Sequence, residues 1–118
     1  MPGKLTNDFG TVIIDDHVLA SVAGVSAMEC YGLVGMAAKS TAGGLVELLR
    51  KDQLSKGVKV YTENDEIVID LFVIVEFGTR ISVVATNIIE KVKYTIENLT
   101  GMTVKKVNIN VQGVRVEK

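Results

Sequence analysis

The residues of this chain best suited to chemistry are few. There is one histidine, His17, and one cysteine, Cys30, in 118 residues. Asp15-Asp16-His17 sets two carboxylates beside an imidazole, types that bind zinc or relay protons. A metal needs donors that converge. Three successive residues at a helix start project in different directions, and one histidine leaves a zinc site short of ligands. The same residues suit a helix cap, where a carboxylate accepts the free N–H groups of the first turn and its charge complements the helix dipole. Cys30 falls near the end of the helix that His17 begins. The dipole there disfavours a thiolate, so a buried, unreactive thiol is expected. Ser21 and Ser26 sit inside that helix without the Gly-x-Ser-x-Gly turn of a hydrolase nucleophile.

Two loops could in principle hold ions. Thr41-Ala-Gly-Gly44 precedes a short apolar stretch, but the Lys-Ser/Thr ending of a phosphate loop is absent. Glu63, Asp65 and Glu66 make an acidic tip without the ligand spacing of a calcium loop, and Asn64-Asp65 is ordinary turn chemistry. No catalytic residue, cofactor-binding residue or metal ligand is therefore expected, and the chain reads as a non-enzyme.

The totals narrow the function further. Thirteen basic and fourteen acidic residues give a net charge of −1. A nucleic-acid binder carries a clear basic excess to neutralise phosphates, so nucleic acid is not the expected partner. Lys91, Lys93, Lys105 and Lys106 form the one local basic group, read as a solvated face. A single cysteine excludes an intramolecular disulfide and suits a reducing compartment. Residues 1–9 are mostly polar and carry no apolar stretch, so no secretory signal is expected, and the longest apolar run, Ile67 to Val75, is interrupted by Asp70. It is far shorter than the ~20 residues of a spanning helix. A cytoplasmic protein is expected, brought to any membrane by a partner.

The elements that must position these groups follow from hydrophobic period. Gly10 to Ile14 reads as a strand, and a helix runs from Asp16 to about Cys30, with Val18, Leu19, Val22, Ala23 and Ser26 on its buried face. Tyr31 to Ala38 reads as a second strand bent by Gly32 and Gly35. Gly44 to Arg50 spaces its leucines for two helical turns. Val58–Thr62 and Ile67–Val75 alternate as a hairpin about the polar tip. Ile81, Val84, Ala85, Ile88, Val92, Ile96 and Leu99 give a long amphipathic helix that Gly101 ends. Val107, Ile109 and Val111 alternate in a last strand, which the tail from Gly113 can extend. The order is strand, helix, strand, short helix, strand, strand, helix, strand. The expected fold is α+β, a two-layer sandwich of two main helices on a mainly antiparallel sheet. It forms one domain over residues 1–118, with residues 1–8 as a flexible tail.

Both faces of the Ile67–Val75 strand carry large apolar side chains, and the long helix adds Val83 and Tyr94 off its main stripe. Phe72, Ile74, Val83 and Tyr94 are therefore the expected interaction surface, and a homo-oligomer the expected assembly.

Three stretches carry a resemblance: Gly10 to Gly24, Cys30-Tyr-Gly to Lys39, and Lys91 through Thr100-Gly-Met to Val107-Asn-Ile-Asn-Val-Gln-Gly-Val114. The last combines a helix ending in a Thr-Gly-hydrophobic turn with a Val-Asn and Val-Gln-Gly strand. Together they resemble the alkaline shock protein family of Gram-positive bacteria, and the Cys-Tyr-Gly and Gln-Gly-Val-Arg-Val details resemble its YloU-like branch. The resemblance implies a cytoplasmic protein without enzymatic activity, linked to envelope homeostasis and stress. It implies self-assembly or a membrane-anchored protein partner. Some branches are linked instead to enzymes of fatty-acid metabolism, which leaves a regulatory partner of a lipid enzyme as the alternative.

Overall fold

A computed structural model describes residues 3–37 and 55–116. The elements are β1 (Gly3–Asn7), β2 (Gly10–Ile14), α1 (Asp16–Met28), β3 (Leu33–Met36), β4 (Val58–Glu63), β5 (Glu66–Glu76), α2 (Ile81–Thr100) and β6 (Val104–Arg115). The fold is α+β, with two helices on a mainly antiparallel sheet, in the order the hydrophobic periods predict. The short helix expected at Gly44–Arg50 lies outside the described residues.

β5 organises the sheet. β4 runs antiparallel to its first half, from Glu63↔Glu66 to Val58↔Leu71. β3 pairs antiparallel with its second half, from Met36↔Val73 to Leu33↔Val75. β6 runs parallel along nearly its whole length, Ile67↔Val104 to Glu76↔Arg115. A strand has two edges. Since β6 fills one end to end, β3 and β4 share the other. The parallel pairing follows from α2, whose length carries the chain back to where β5 began. β6 is also longer than its clearest alternation, because the Gly113 tail does continue the strand.

Local chemistry explains the turns. Asn64 and Asp65 both have positive φ (51° and 66°). They form the two-residue turn that matches strand twist, which is why β4 and β5 reach Glu63 and Glu66 rather than stopping short. The Asp15 carboxylate accepts from the His17 backbone N–H at 2.8 Å, so the acidic junction is a helix cap. Gly101 is left-handed at φ 75° and donates its N–H to the Glu97 carbonyl at 2.9 Å. Thr100 Oγ1 donates to the Ile96 carbonyl and accepts from the Met102 N–H. The Thr-Gly-Met motif is thus a helix stop that uses each residue.

The core lies between sheet and helices. Ile67, Ile69, Leu71, Val73 and Val75, the odd-numbered face of β5, are buried in one cluster. Leu19, Ala23 and Ala27 of α1 and Val84, Ile88, Val92 and Ile96 of α2 close over them. Gly32 shows how tightly the entry to β3 fits this layer. Its φ is 88°, and a Cβ there would lie 2.6 Å from Val84 Cγ2. Only glycine fits both the left-handed backbone and the space.

Three features differ from the sequence reading. Residues 3–7 are not a tail. They pair with β2 from Gly3↔Ile14 to Asn7↔Gly10 as a separate two-stranded sheet. Polar side chains conceal this, since a hairpin needs only paired backbone to form its ladder. Tyr31 and Gly32 form a turn, so β3 begins at Leu33. Val18, assigned by spacing to the buried face of α1, is exposed, while Ala20 and Ala27 are buried. α1 is apolar on every side, so period alone does not fix which face turns inward.

Candidate functional site

The residues suited to chemistry do not assemble. Among the described residues, no group of three His, Cys, Asp or Glu side chains could hold a metal. Cys30 is half-buried rather than fully buried. Its Sγ lies 3.8 Å from the Ser26 carbonyl and 4.0 Å from that of Asn87, in the seam between α1 and α2. Burial raises the thiol pKa above its ordinary value of 9.0; Lys91 opposes the rise and Glu29 reinforces it. That is opposite to the lowered pKa of a nucleophilic cysteine.

The basic group is partly committed. Lys91 pairs with Glu29 at 3.2 Å, tying α2 to the end of α1. Lys93 donates to the Val104 carbonyl at 3.2 Å and lies 3.5 Å from Glu97. Lys105 donates to Glu63 at 2.5 Å, which raises the lysine pKa and holds the Glu63 carboxyl below its ordinary range. The acidic tip of the β4–β5 hairpin is thus joined to β6 by a charge-assisted bond. Pairings of this kind reduce what the lysines could offer to phosphates.

The four residues expected as an interaction surface divide. Ile74 is only 3% exposed and is not surface. Phe72 is half-buried. Both lie on the even-numbered face of β5, where Val68 is also buried and Asp70 accepts from Asn108 Nδ2 at 2.7 Å. Val68 and Ile74 are thus covered, and the apolar even face is enclosed rather than displayed. Val83 and Tyr94 are exposed, at 47% and 68%. Eleven residues apart, they share one side of α2, the side turned from the sheet. The structure therefore does not unite the four. It leaves Val83 and Tyr94 on the helix layer.

Other apolar residues join that outer surface. Tyr31 lines a shallow depression with Val83, Thr79 and Asn87. Val22 and Val25 of α1 line an open groove shared with Lys91 and Thr95 of α2. Val18, Val25 and Met28 are exposed along α1. Sequence reasoning misses the α1 contribution, although the all-round apolar character of that helix is a signal of it. It also misses Val12 and Ile13, exposed on the β1–β2 hairpin. Among the described residues, no helix is long and apolar enough to cross a membrane.

The family model of the alkaline shock protein 23 family, described as having a cell envelope-related function, matches residues 4–116. The chain is 49% identical over 114 residues to an uncharacterized protein, YloU of Bacillus subtilis, covering 96% of this chain and 95% of that one. It is 38% identical to Spy1614 of Streptococcus pyogenes (98% and 97% covered) and 34% identical to YqhY of Bacillus subtilis (92% and 79%). No solved structure matches the chain. With the family pattern running through both helices and all six strands of the described residues, this chain belongs to the alkaline shock protein 23 family, whose function is cell envelope-related.

Proposed function

We propose that this protein is a non-enzymatic cytoplasmic interaction module that serves envelope homeostasis and the stress response. It acts by self-association or through a membrane-associated protein partner. The observation that carries this reading is the apolar outer surface of the helix layer. Tyr31, Val83 and Tyr94 are large and exposed, Tyr31 and Val83 share one depression, and Val18, Val25 and Met28 are exposed on α1 of the same layer. Single exposed apolar residues are ordinary, but several on one face mark a contact surface. The cell envelope-related description of the family supplies the setting.

Light scattering coupled to size exclusion, over a wide concentration range, tests the reading. A dimer or larger assembly supports it. A monomer at every concentration removes the self-association arm. If that monomer instead captures an enzyme of lipid metabolism and changes its rate, the protein is a regulatory subunit. Val83→Asp with Tyr94→Asp should weaken any association made through the helix layer while leaving the fold intact, since both side chains are exposed.

A further inference from the structure

Among the described residues, the sheet ends on an open edge at β6. β6 is twelve residues long and has one strand partner among the described residues, β5. An edge of this kind presents a row of backbone donors and acceptors that another strand can fill. Its start is closed by α2. The Thr103 carbonyl accepts from Ile67 N–H, so across the same trans peptide the Val104 N–H points to the outer edge. Glu97 Oε2 takes that N–H at 2.9 Å, and Lys93 Nζ donates to the Val104 carbonyl at 3.2 Å. Beyond this plug the register with β5 is regular from Val68↔Lys106 to Val73↔Val111, bounded by an irregularity on each side.

We propose that the outer edge of β6 is a self-recognition surface, filled by the β6 of a second copy running antiparallel about a two-fold axis centred on Ile109. The inference rests on the self-association reading and adds to it a contact of the sheet, separate from the apolar outer side of the helix layer. Antiparallel residues directly opposite one another point to the same face of the sheet. With Ile109 opposite its own copy, Val107 meets Val111 on the helix side, and Asn108 meets Asn110 on the other. The helix-side row is thus entirely apolar. It covers Val111, which is 38% exposed at the edge, whereas Val107 further back is nearly buried. Lys106 falls beside Gln112, and Lys105, already joined to Glu63, opposes no cation. Moving the centre one position along, to Asn110, would set Lys105 against Arg115. Centring on Asn108 would set Val111 against Lys105 and leave its apolar surface unmatched. The irregularities and the Lys93–Glu97 plug limit slippage, which in an open edge leads to uncontrolled pairing.

Area sets the strength. With Val104 closed, pairing about Ile109 covers residues 105–113, a span of about 30 Å, and a sheet with side chains about 10 Å deep gives a footprint of about 300 Å² per copy. That is less than half the ~800 Å² per partner of stable complexes, so the pairing is reversible and concentration-dependent.

Cross-linking tests it. Opposed residues in an antiparallel pair hold their Cα atoms ~4.5–5.5 Å apart, within disulfide range. In a Cys30→Ser background, Ile109→Cys should form a covalent dimer under mild oxidant at least tenfold faster than a Tyr94→Cys control on α2. Asn108→Cys with Asn110→Cys, whose side chains lie on the opposite face from the core, should do the same and guards against loss of packing at position 109. Val111→Lys should raise the dimer dissociation constant at least tenfold. Assembly seen by scattering without faster cross-linking in the folded 108/110 variant overturns the β6 pairing and leaves self-association by another surface standing. A strict monomer overturns both.

Discussion

The β5–α2–β6 unit and the β1–β2 hairpin are built from similar residues and stand in opposite situations. In the first, Val, Ile and Leu alternate along β5, and α2 closes over them, so that each odd-numbered side chain is buried. In the second, Val12 and Ile13 sit in adjacent positions of a two-stranded ladder and both face solvent. A branched apolar residue stabilises a strand only where another layer covers it. An isolated hairpin is marginal in water. The hairpin is therefore expected to open on its own, at a free energy well below that of global unfolding, while the amides of β5 exchange only with the whole fold. Hydrogen exchange on the folded chain reads this difference directly.

Substitutions can break or sharpen the contrast. The largest effect is expected from Ile88→Ala, which empties a fully buried site beneath α2. It should lower unfolding free energy by about 2–5 kcal/mol in a denaturant titration, with β1–β2 exchange unchanged. Gly32→Ala comes next. A Cβ 2.6 Å from Val84 and a φ of 88° together should cost about 1–3 kcal/mol. Glu97→Ala removes the acceptor of the Val104 N–H and should cost about 1–2 kcal/mol. Its exchange signature is faster release of the Val104 amide. Val12→Ser, on the exposed ladder, should change stability by less than about 0.5 kcal/mol. An effect there as large as at Ile88 would mean the hairpin belongs to the cooperative unit.

The smallest expected effect concerns pH. The bond from Lys105 holds the Glu63 carboxyl below its ordinary pKa of 4.5. A group whose pKa is depressed on folding contributes stability above its unfolded pKa and loses it as pH falls through the folded one. Lys105→Ala should therefore lower stability slightly at pH 7, by an amount that shrinks as pH falls below the ordinary carboxyl range and the Glu63 carboxyl takes up its proton, which paired titrations would detect. As an exposed pair it is screened by salt, and high ionic strength should remove the difference.

What is legible in the sequence follows the same divide. α2 carries an apolar stripe and a glycine stop, so its end and the middle of its buried face, Val84 to Ile96, can be read from the residues alone, whereas Ile81 and Leu99, on the stripe by spacing, are exposed at its two ends. β5 shows its alternation, and Asp15 its capping role. α1 reads correctly as a helix, but its spacing points Val18 inward where the fold turns it out, because apolar residues on all sides leave the choice to tertiary packing. β1 is not legible, since its ladder is made by backbone and not by a hydrophobic period. The expected surface fails at Ile74 for a related reason. Alternation tells which residues share a face of a strand, not whether that face is enclosed. Val83 and Tyr94 are legible because an outward helical position shows directly in the 3.6-residue period.

The central place of β5 also sets the order in which the chain can fold. Its three partners come from residues 33–36, 58–63 and 104–115. During synthesis β3 and β4 are available as soon as β5 emerges, and one edge of the sheet can zip at once. The other edge must wait for α2 to be made and for β6 to follow it. For those tens of residues, seconds at ribosomal speed, β5 stands with one side bare and its apolar face half-covered. The nascent chain is then most exposed to mispairing, and a chaperone that holds extended apolar strands would be needed in that interval and not after it.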